Sequence, residues 1–398
     1  MTPFTMEEVE ALLGDPEVAH LSEACVRSIG YGRLSPLGED LWATAGRAPS
    51  ESLLRKAAFA ATIQGLSPRL AQLPGVDVLP GALAERFALE AERCVERGRR
   101  IVERLGEVLA LLASAGIEAI PLKGAALLLR SEAVAGLRPM GDLDLLLFDP
   151  SRVREAAAVL TRATPYRPLL DTPRHLVLAE EGEAVPSPAG EHPDNPLRIE
   201  LHRSFRLPVL GVVLDSTKDL VKNAVTTSEG FRVPSDDAML RHLWHHAAED
   251  FAAKGLRGIQ ALDFLDRAGR TGPLPTALHA DDVHAAAPLL YAADGLERLF
   301  PGTFDAASLE RLAAGVPTAL RGRASVLTVL RHTRPSRGFT RTGLSLAPGR
   351  TAQMRFLVRN VFPTLGEVKA NVAPGAEGLA LRVAWMRVLA RRAASLIR

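Results

Sequence analysis

The sequence predicts an α+β protein in which a small mixed sheet is flanked by N-terminal and C-terminal helical regions. Three observations carry that prediction. Before residue 116 the apolar residues recur at spacings of three and four, the period of a helix that buries one face. Between 116 and 206, short apolar runs and one strictly alternating stretch are separated by turn residues, the pattern of strands. Beyond Pro234 the helical period returns and continues to the end. The divisions expected from this are 1–115, a helical region, 116–232, an α/β core, and 233–398, a second helical region.

Each element has a local reason. Helices are expected over EEVEALLG, from Glu51 to Ile63, and over a long pattern from Ala82 to Ala115 bracketed by Gly81 and Gly116. Ile117 to Leu122 is a short apolar run, Lys123-Gly124 a breaker, and Ala125 to Ala135 helical. Leu143 to Phe148 is a continuous apolar run suited to a buried strand. Asp149-Pro150-Ser151 then caps a helix through about Ala163, with proline early in the helix, where its missing N–H costs nothing. From Thr164 to Asn195 the chain is rich in Pro, Gly and Glu and is expected to be an irregular connection with one or two weak strands. Arg198-Ile199-Glu200-Leu201-His202 alternates strictly, so Ile199 and Leu201 face one way and Arg198, Glu200 and His202 the other. Ser235 is an N-cap, with Asp236 and Asp237 at the positive end of a helix to about Phe251. The helices that follow are interrupted by an Arg- and Gly-containing loop from His332 to Thr351.

Composition narrows the class. With 398 residues, 47% hydrophobic and 24% charged, the chain is neither fibrous nor largely disordered. Cys25 and Cys94 are the two cysteines, which excludes a disulfide framework or a cysteine-rich zinc site and fits a reducing compartment. The N-terminus has no secretory pattern and no apolar run is long enough to span a bilayer, so a cytoplasmic protein is expected. The net charge of +2 conceals an asymmetry. Residues 301–398 carry sixteen Lys and Arg against four Asp and Glu, a net +12, which leaves −10 for the first 300. Such a tail either docks on the acidic body or presents a surface to something anionic.

The sharpest motif is Arg138-Pro139-Met140-Gly141-Asp142-Leu143-Asp144. On a strand, Asp142 and Asp144 share a face about 7 Å apart along the backbone, while Leu143 and Leu145 enter the core. Two like charges so close raise each other's pKa unless a cation lies between them, and oxygen ligands select a hard ion such as Mg²⁺ or Mn²⁺. Taken alone, an Asp-x-Asp is equally well a solvated turn. Eighteen residues upstream of Asp142, Lys123-Gly124 lies between a strand and a helix, where backbone N–H groups suit a phosphate; its lysine is one of only six in the chain. Downstream, Glu200 supplies a third carboxylate, although its polar face also fits the solvent side of an edge strand.

In order and spacing, Pro121-Leu122-Lys123-Gly124, Leu137 to Leu146, Ile199-Glu200-Leu201-His202, His242-Leu243-Trp244-His245-His246 and Leu262-Asp263-Phe264-Leu265 resemble an uncharacterised bacterial nucleotidyltransferase family of the polymerase-beta-like superfamily, over roughly residues 95 to 390. The resemblance implies a metal-dependent enzyme that moves NMP from an NTP to a hydroxyl of a small-molecule or peptide acceptor and releases pyrophosphate. It implies Asp142, Asp144 and Glu200 as catalytic and metal-binding residues, and Lys123, Gly124, Arg138 and Gly141 around the triphosphate. His202, His246 and Asp263 take secondary places. Two departures stand out: Lys123-Gly124-Ala125 replaces the Gly-Ser turn of the broad superfamily, and the gap to the aspartates is longer than in minimal members. A tRNA or protein acceptor, as in toxin-like relatives, and a non-catalytic nucleotide-binding regulator are the alternatives.

Two further stretches admit a functional and a packing reading. His242 and His246 share a helix face, but Leu243 stands where a zinc-peptidase helix has glutamate, so packing or a wall of the acceptor pocket is expected instead. The run from Leu381 to Arg392 reads as a basic amphipathic helix, suited to a membrane surface or RNA; the expectation is that it packs on its own domain with its arginines in water. Arg331, Arg334, Arg337, Arg341 and Arg350 form a second candidate for contacting phosphate.

Overall fold

The computed structural model describes all residues except 2–3, 44–48, 76–77, 131–134, 183–191, 254, 272–282, 323–329, 331–343, 363–364, 366–367, 369–375 and 398. It is an α+β fold built on a mixed five-stranded sheet. The strands are β1 (Ala119–Pro121), β2 (Asp142–Leu147), β3 (Tyr166–Asp171), β4 (His175–Glu180) and β5 (Arg198–His202), in spatial order β1-β2-β5-β4-β3. The β2–β5 pairing is parallel and the others antiparallel.

Preceding the sheet are α1 (Met6–Leu12), α2 (Pro16–Gly30), α3 (Ser35–Ala43), α4 (Glu51–Gln64), α5 (Ser67–Leu70) and the long α6 (Gly81–Ser114). Sequence periodicity located α6 to within a residue at each end, because a 34-residue helix repeats its signal many times. α7 (Lys123–Leu129) follows β1 directly, and α8 (Val153–Ala163) follows β2 through a 3₁₀ turn that Asp149 caps by accepting from the Ser151 N–H. Two short hairpins, β6 (Arg206–Val209) with β7 (Val212–Asp215) and β8 (Ala224–Thr226) with β9 (Arg232–Pro234), flank α9 (Thr217–Lys222). α10 (Asp236–Ala253), α11 (Gly258–Thr271), α12 (Val283–Leu299), α13 (Ala306–Ala314), α14 (Gly349–Val361) and α15 (Gly378–Ile397) complete the described helices. No helix among the described residues is long and apolar enough to cross a membrane.

Three expectations are corrected. The helix after Lys123 stops at Leu129 instead of continuing to Ala135, and a 3₁₀ turn over Ala135–Leu137 leads into the Asp-x-Asp strand. The stretch from Thr164 to Asn195 holds two six-residue strands, not weak ones. β4 is paired on both sides, so its residues HLVLAE lie in the middle of the sheet, whereas β3 is the edge strand, with Pro168 beside a register shift. Sequence alternation is blurred there because β4 is covered on both faces, with Leu176, Val177 and Leu178 all buried. Finally, the Arg- and Gly-containing loop ends earlier than Thr351, since α14 begins at Gly349.

The two faces of the sheet have different tasks. Leu143, Leu145, Leu147, Ile199, Leu201 and Leu178 join the principal core, which continues through the N-terminal helices and through α10 to α12. On the other face Leu146 joins Ile120, Leu122, Phe205 and Leu220 in a small second cluster. That second face carries the polar residues of the motifs.

Candidate active site

β2 and β5 run parallel in a register that sets Asp142 opposite Arg198 and Asp144 opposite Glu200. Residues paired across neighbouring strands share a face, so the three carboxylates expected from sequence emerge on one side of the sheet. Glu200 is therefore on an interior strand, which removes the reading of its polar face as a solvated edge. The next step of the ladder sets His202 opposite His175 of β4.

Lys123 is brought to this face by the turn between β1 and α7. The backbone N–H of Leu122 donates to the carbonyl of Asp144 at 3.0 Å, which fixes the end of β1 against β2. The following residue, Lys123, has φ of 50°, a left-handed conformation uncommon for any residue with a Cβ. That turn directs its ammonium to Asp144 Oδ1 at 3.0 Å. Strain of this kind concentrates at functional sites, where surrounding structure holds it in place. Behind the lysine, Gly124 lies so close to Met140 and Arg138 that a Cβ would displace both side chains. Gly141, by contrast, is exposed and a Cβ there would meet nothing within 4 Å.

His202 ties two of the carboxylates together. Its Nε2 lies 2.9 Å from Asp144 Oδ1 and 3.3 Å from Glu200 Oε2. The three side chains whose ligand atoms all lie within 4.8 Å of one another are, among the described residues, His175, Glu200 and His202. Behind them runs a row of rings: His175 against His202 at 5.2 Å, His202 against Phe205 at 4.2 Å, Phe205 against His242 at 4.6 Å and His242 against His246 at 6.3 Å. The Lys123 ammonium also approaches the Phe205 ring, at 6.0 Å.

The electrostatics divide the carboxylates. Burial alone would raise the pKa of Asp144, but the charge of Lys123 and the hydrogen bond from His202 hold it well below the usual carboxylate range. Burial likewise works against Glu200, and its hydrogen bond with His202 brings it below its ordinary value. Asp142 behaves oppositely. Its side chain reaches solvent at the mouth of the site, yet desolvation by the surrounding protein, then the negative charge of Asp144, pushes its carboxyl up to about 6. It forms no hydrogen bond or ion pair among the described residues. Lys123 loses stability as a cation through burial but gains more from Asp144 and Asp142, so its pKa is raised. Burial lowers the pKa of His175 and takes that of His246 down to about 4.

The remaining expected residues are placed less directly. Arg138 gives its Nε to Asp263 Oδ2 at 2.7 Å, with both side chains mostly buried, so these two form a pair of their own; the guanidinium still acts on Asp142 and Asp144 through its charge. His246 faces Asp250 at 3.6 Å and Gln260 at 3.5 Å, while His242 lies within reach of Ser216 and His245 is buried near Arg241 and Asp215. No three-ligand group among the described residues includes the histidines of α10. Arg331, Arg334, Arg337 and Arg341 lie outside the described residues; Arg350 is exposed on α14.

Two contributors escaped the sequence reading. His175 sits in the stretch expected to be irregular, and only its register opposite His202 brings it to the site. Arg97, 1% exposed in the middle of α6, directs its guanidinium at the carbonyls of Met140 at 3.4 Å, Pro196 at 3.4 Å, and Asn195. It thus clamps the segment leading into β2 to the segment leading into β5, setting the two carboxylate strands side by side. A signal for Arg97 was present: it falls in the buried stripe Cys94, Arg97, Ile101, where an arginine needs several acceptors.

A parallel strand pair thus presents three carboxylates on one face, with a lysine at a strand-to-helix turn beside them. Comparison with known families agrees: the model described as uncharacterised nucleotidyltransferase matches residues 48–271, more than half of the chain, and the protein belongs to that family. The match begins earlier and ends sooner than the motif series alone suggested, taking in α4 and α6 and stopping at the end of α11. No curated protein and no solved structure matches the chain.

Proposed function

We propose that this nucleotidyltransferase moves NMP from an NTP to a hydroxyl of a small-molecule or peptide acceptor, with Mg²⁺ or Mn²⁺ bound by Asp142, Asp144 and Glu200, and that it shares the ancestry of polymerase-beta-like enzymes. The observation that carries the reading is Asp142: a carboxylate held beside Asp144 and within the field of Glu200, with no cationic partner in contact. Its proton is the default means of relieving that repulsion, and a divalent cation is the chemically suited replacement. Asp142, Asp144 and Glu200 supply oxygen donors on one face, and the side chains already gathered within 4.8 Å among the described residues are His175, Glu200 and His202, whose two imidazoles favour Mn²⁺ over Mg²⁺.

A divalent cation held by Asp142, Asp144 and Glu200 would supply positive charge for the triphosphate and acidify the acceptor hydroxyl. Residues of the chain do the rest. Lys123, released in part from Asp144, neutralises phosphate oxygens at the turn, and backbone N–H groups near Gly124 add donors. Arg138, held by Asp263, contributes charge from behind. Asp142 and Asp144 orient the triphosphate, and Glu200 takes the acceptor's proton, with His202 fixing the position of both Asp144 and Glu200. These are electrostatic and positioning effects, which dominate phosphoryl chemistry. Residues 116–232 are the unit proposed to carry the chemistry, leaving the acceptor pocket to the helices around α10.

Incubation of the protein with Mn²⁺ or Mg²⁺ and each labelled NTP, across pools of hydroxyl acceptors, tests the reading. Pyrophosphate release that disappears on Asp142→Ala and Asp144→Ala is expected. Absence of release with every NTP and pool, or release that survives both substitutions, refutes it.

A further inference from the structure

The exposed apolar residues of this protein are unevenly distributed. Of the fifteen large hydrophobic side chains that are exposed among the described residues, seven fall between 354 and 386: Met354, Val358, Phe362, Leu365, Leu379, Val383 and Met386. Scattered exposed apolar residues are ordinary, but a concentration in one short stretch of chain is not.

Helix geometry sharpens the pattern. On α15, residues advance by about 100° each, so Leu379, Val383 and Met386 line one narrow stripe. Leu381, Ala384, Trp385 and Val388, partly or fully buried, occupy the opposite side. One face of this helix is therefore covered while a second apolar face stays in solvent. Arg382 borders the stripe on one flank and Arg387 and Arg391 border it on the other; all three are exposed and form no ion pair among the described residues. α14 repeats the arrangement. Ala352 and Phe356 are buried, the Ala352 carbonyl lying against Gly211 of the β6–β7 turn, while Met354 and Val358 point the other way. α14 and α15 touch each other, so the two exposed stripes lie on neighbouring helices.

From this surface we infer that α14 and α15 form an in-plane docking element for an anionic phospholipid bilayer. An apolar stripe flanked by long cationic side chains is the geometry of an interfacial helix: the stripe enters the acyl boundary and the arginines meet lipid phosphates while their stems cover the edge of the apolar zone. Charge selects this occupant. α14 and α15 carry arginines and no Asp or Glu within their ranges, in a segment, 301–398, whose net charge is +12 against −10 for the first 300 residues, so an anionic surface attracts these helices. A second copy of the chain seated on the stripe would gather the arginines of both copies around one seam. On α15 an RNA would find no exposed aromatic platform, because Trp385 lies on the half-buried side of the helix, and Phe362 is a single exposed ring nearby. The inference stands apart from the catalytic reading and survives its failure.

Co-sedimentation of the full chain with vesicles tests it. Binding to vesicles of mixed phosphatidylglycerol and phosphatidylcholine, weak or absent on pure phosphatidylcholine and reduced by salt as the screening length shortens, is the expected result. The double substitution Val383→Glu with Met386→Glu, both in solvent and expected to leave circular dichroism and melting unchanged, should abolish sedimentation. Arg382→Gln and Arg387→Gln should each weaken it by about fivefold. No binding to anionic vesicles overturns the inference, as does equal binding to both vesicle types. Light scattering that shows a dimer dispersed by V383E/M386E, or retention of tRNA by a protein that ignores vesicles, assigns the surface to another occupant and overturns it equally.

Discussion

The inner and outer halves of the carboxylate site are built on opposite principles, although they lie two residues apart on one strand. Asp144, 3% exposed, is fully engaged by Lys123 and His202, and its carboxyl is held well below the ordinary range. Asp142, at the mouth, has neighbours of its own sign and no direct partner, and is pushed up to about 6. The first is part of the protein's internal framework as well as of its chemistry. The second contributes little to folding and is free to exchange a proton for a cation. A site so divided keeps its geometry between turnovers while leaving one ligand available.

The largest effects should separate the two by stability, since both are expected to reduce transfer by a factor on the order of 10³ or more. Asp144→Asn removes the acceptor of two buried cationic or polar partners and should lower stability by about 3 kcal/mol, read from urea unfolding. Asp142→Asn should leave the melting temperature unchanged or raised at neutral pH, while abolishing Mn²⁺ binding in calorimetry. Equal destabilisation by both substitutions would erase the division.

pH dependence gives a second test with a defined sign. Because the pKa of Asp142 is raised on folding, the stability linked to its protonated form is fully present below its ordinary value and is lost as pH rises through about 6. That linked loss should vanish in Asp142→Asn. Asp144 has the opposite linkage: its contribution is present above the ordinary carboxylate value and is lost as pH falls through its depressed one. A metal competes with the proton on Asp142, so Mn²⁺ affinity should climb by about tenfold per pH unit below about 6 and level off above it. A flat affinity profile from pH 5 to 7 would remove Asp142 from the ligand set.

Smaller effects probe the supports. Arg97→Met should lower stability by about 2 kcal/mol, because the carbonyls it serves become unsatisfied, and should lower activity more than a distant substitution of equal cost. Restoring stability with an osmolyte without restoring activity would identify Arg97 as a positioning residue. Gly124→Ala should cost about 1 kcal/mol, since Met140 and Arg138 are displaced at flexible side chains and not at backbone. Its KM for NTP should rise if the turn holds phosphate.

Much of this site was legible because its signals are local. Asp142 and Asp144 announce themselves by strand alternation, Glu200 and His202 by another, and Lys123 by its position between a strand and a helix. What was not legible depended on pairings across the sheet. That Glu200 is interior follows from β4 lying beside β5, and β4 was obscured by the Pro-, Gly- and Glu-rich stretch around it. His175 joins the site through that same pairing. Arg138 was expected beside the triphosphate, but its nearest partner, Asp263, comes from a helix 125 residues away.

By itself the sequence determined the α+β class, the long helix before the sheet, the polar face bearing three carboxylates, and the charge imbalance between body and tail. Those properties follow from period and composition, which each segment carries alone. Tertiary structure alone decided that Asp144 is buried and satisfied while Asp142 is not, that His202 joins Asp144 to Glu200, and that α15 leaves an apolar stripe uncovered. Burial and partner choice belong to contacts between distant segments, and no single stretch of sequence encodes them.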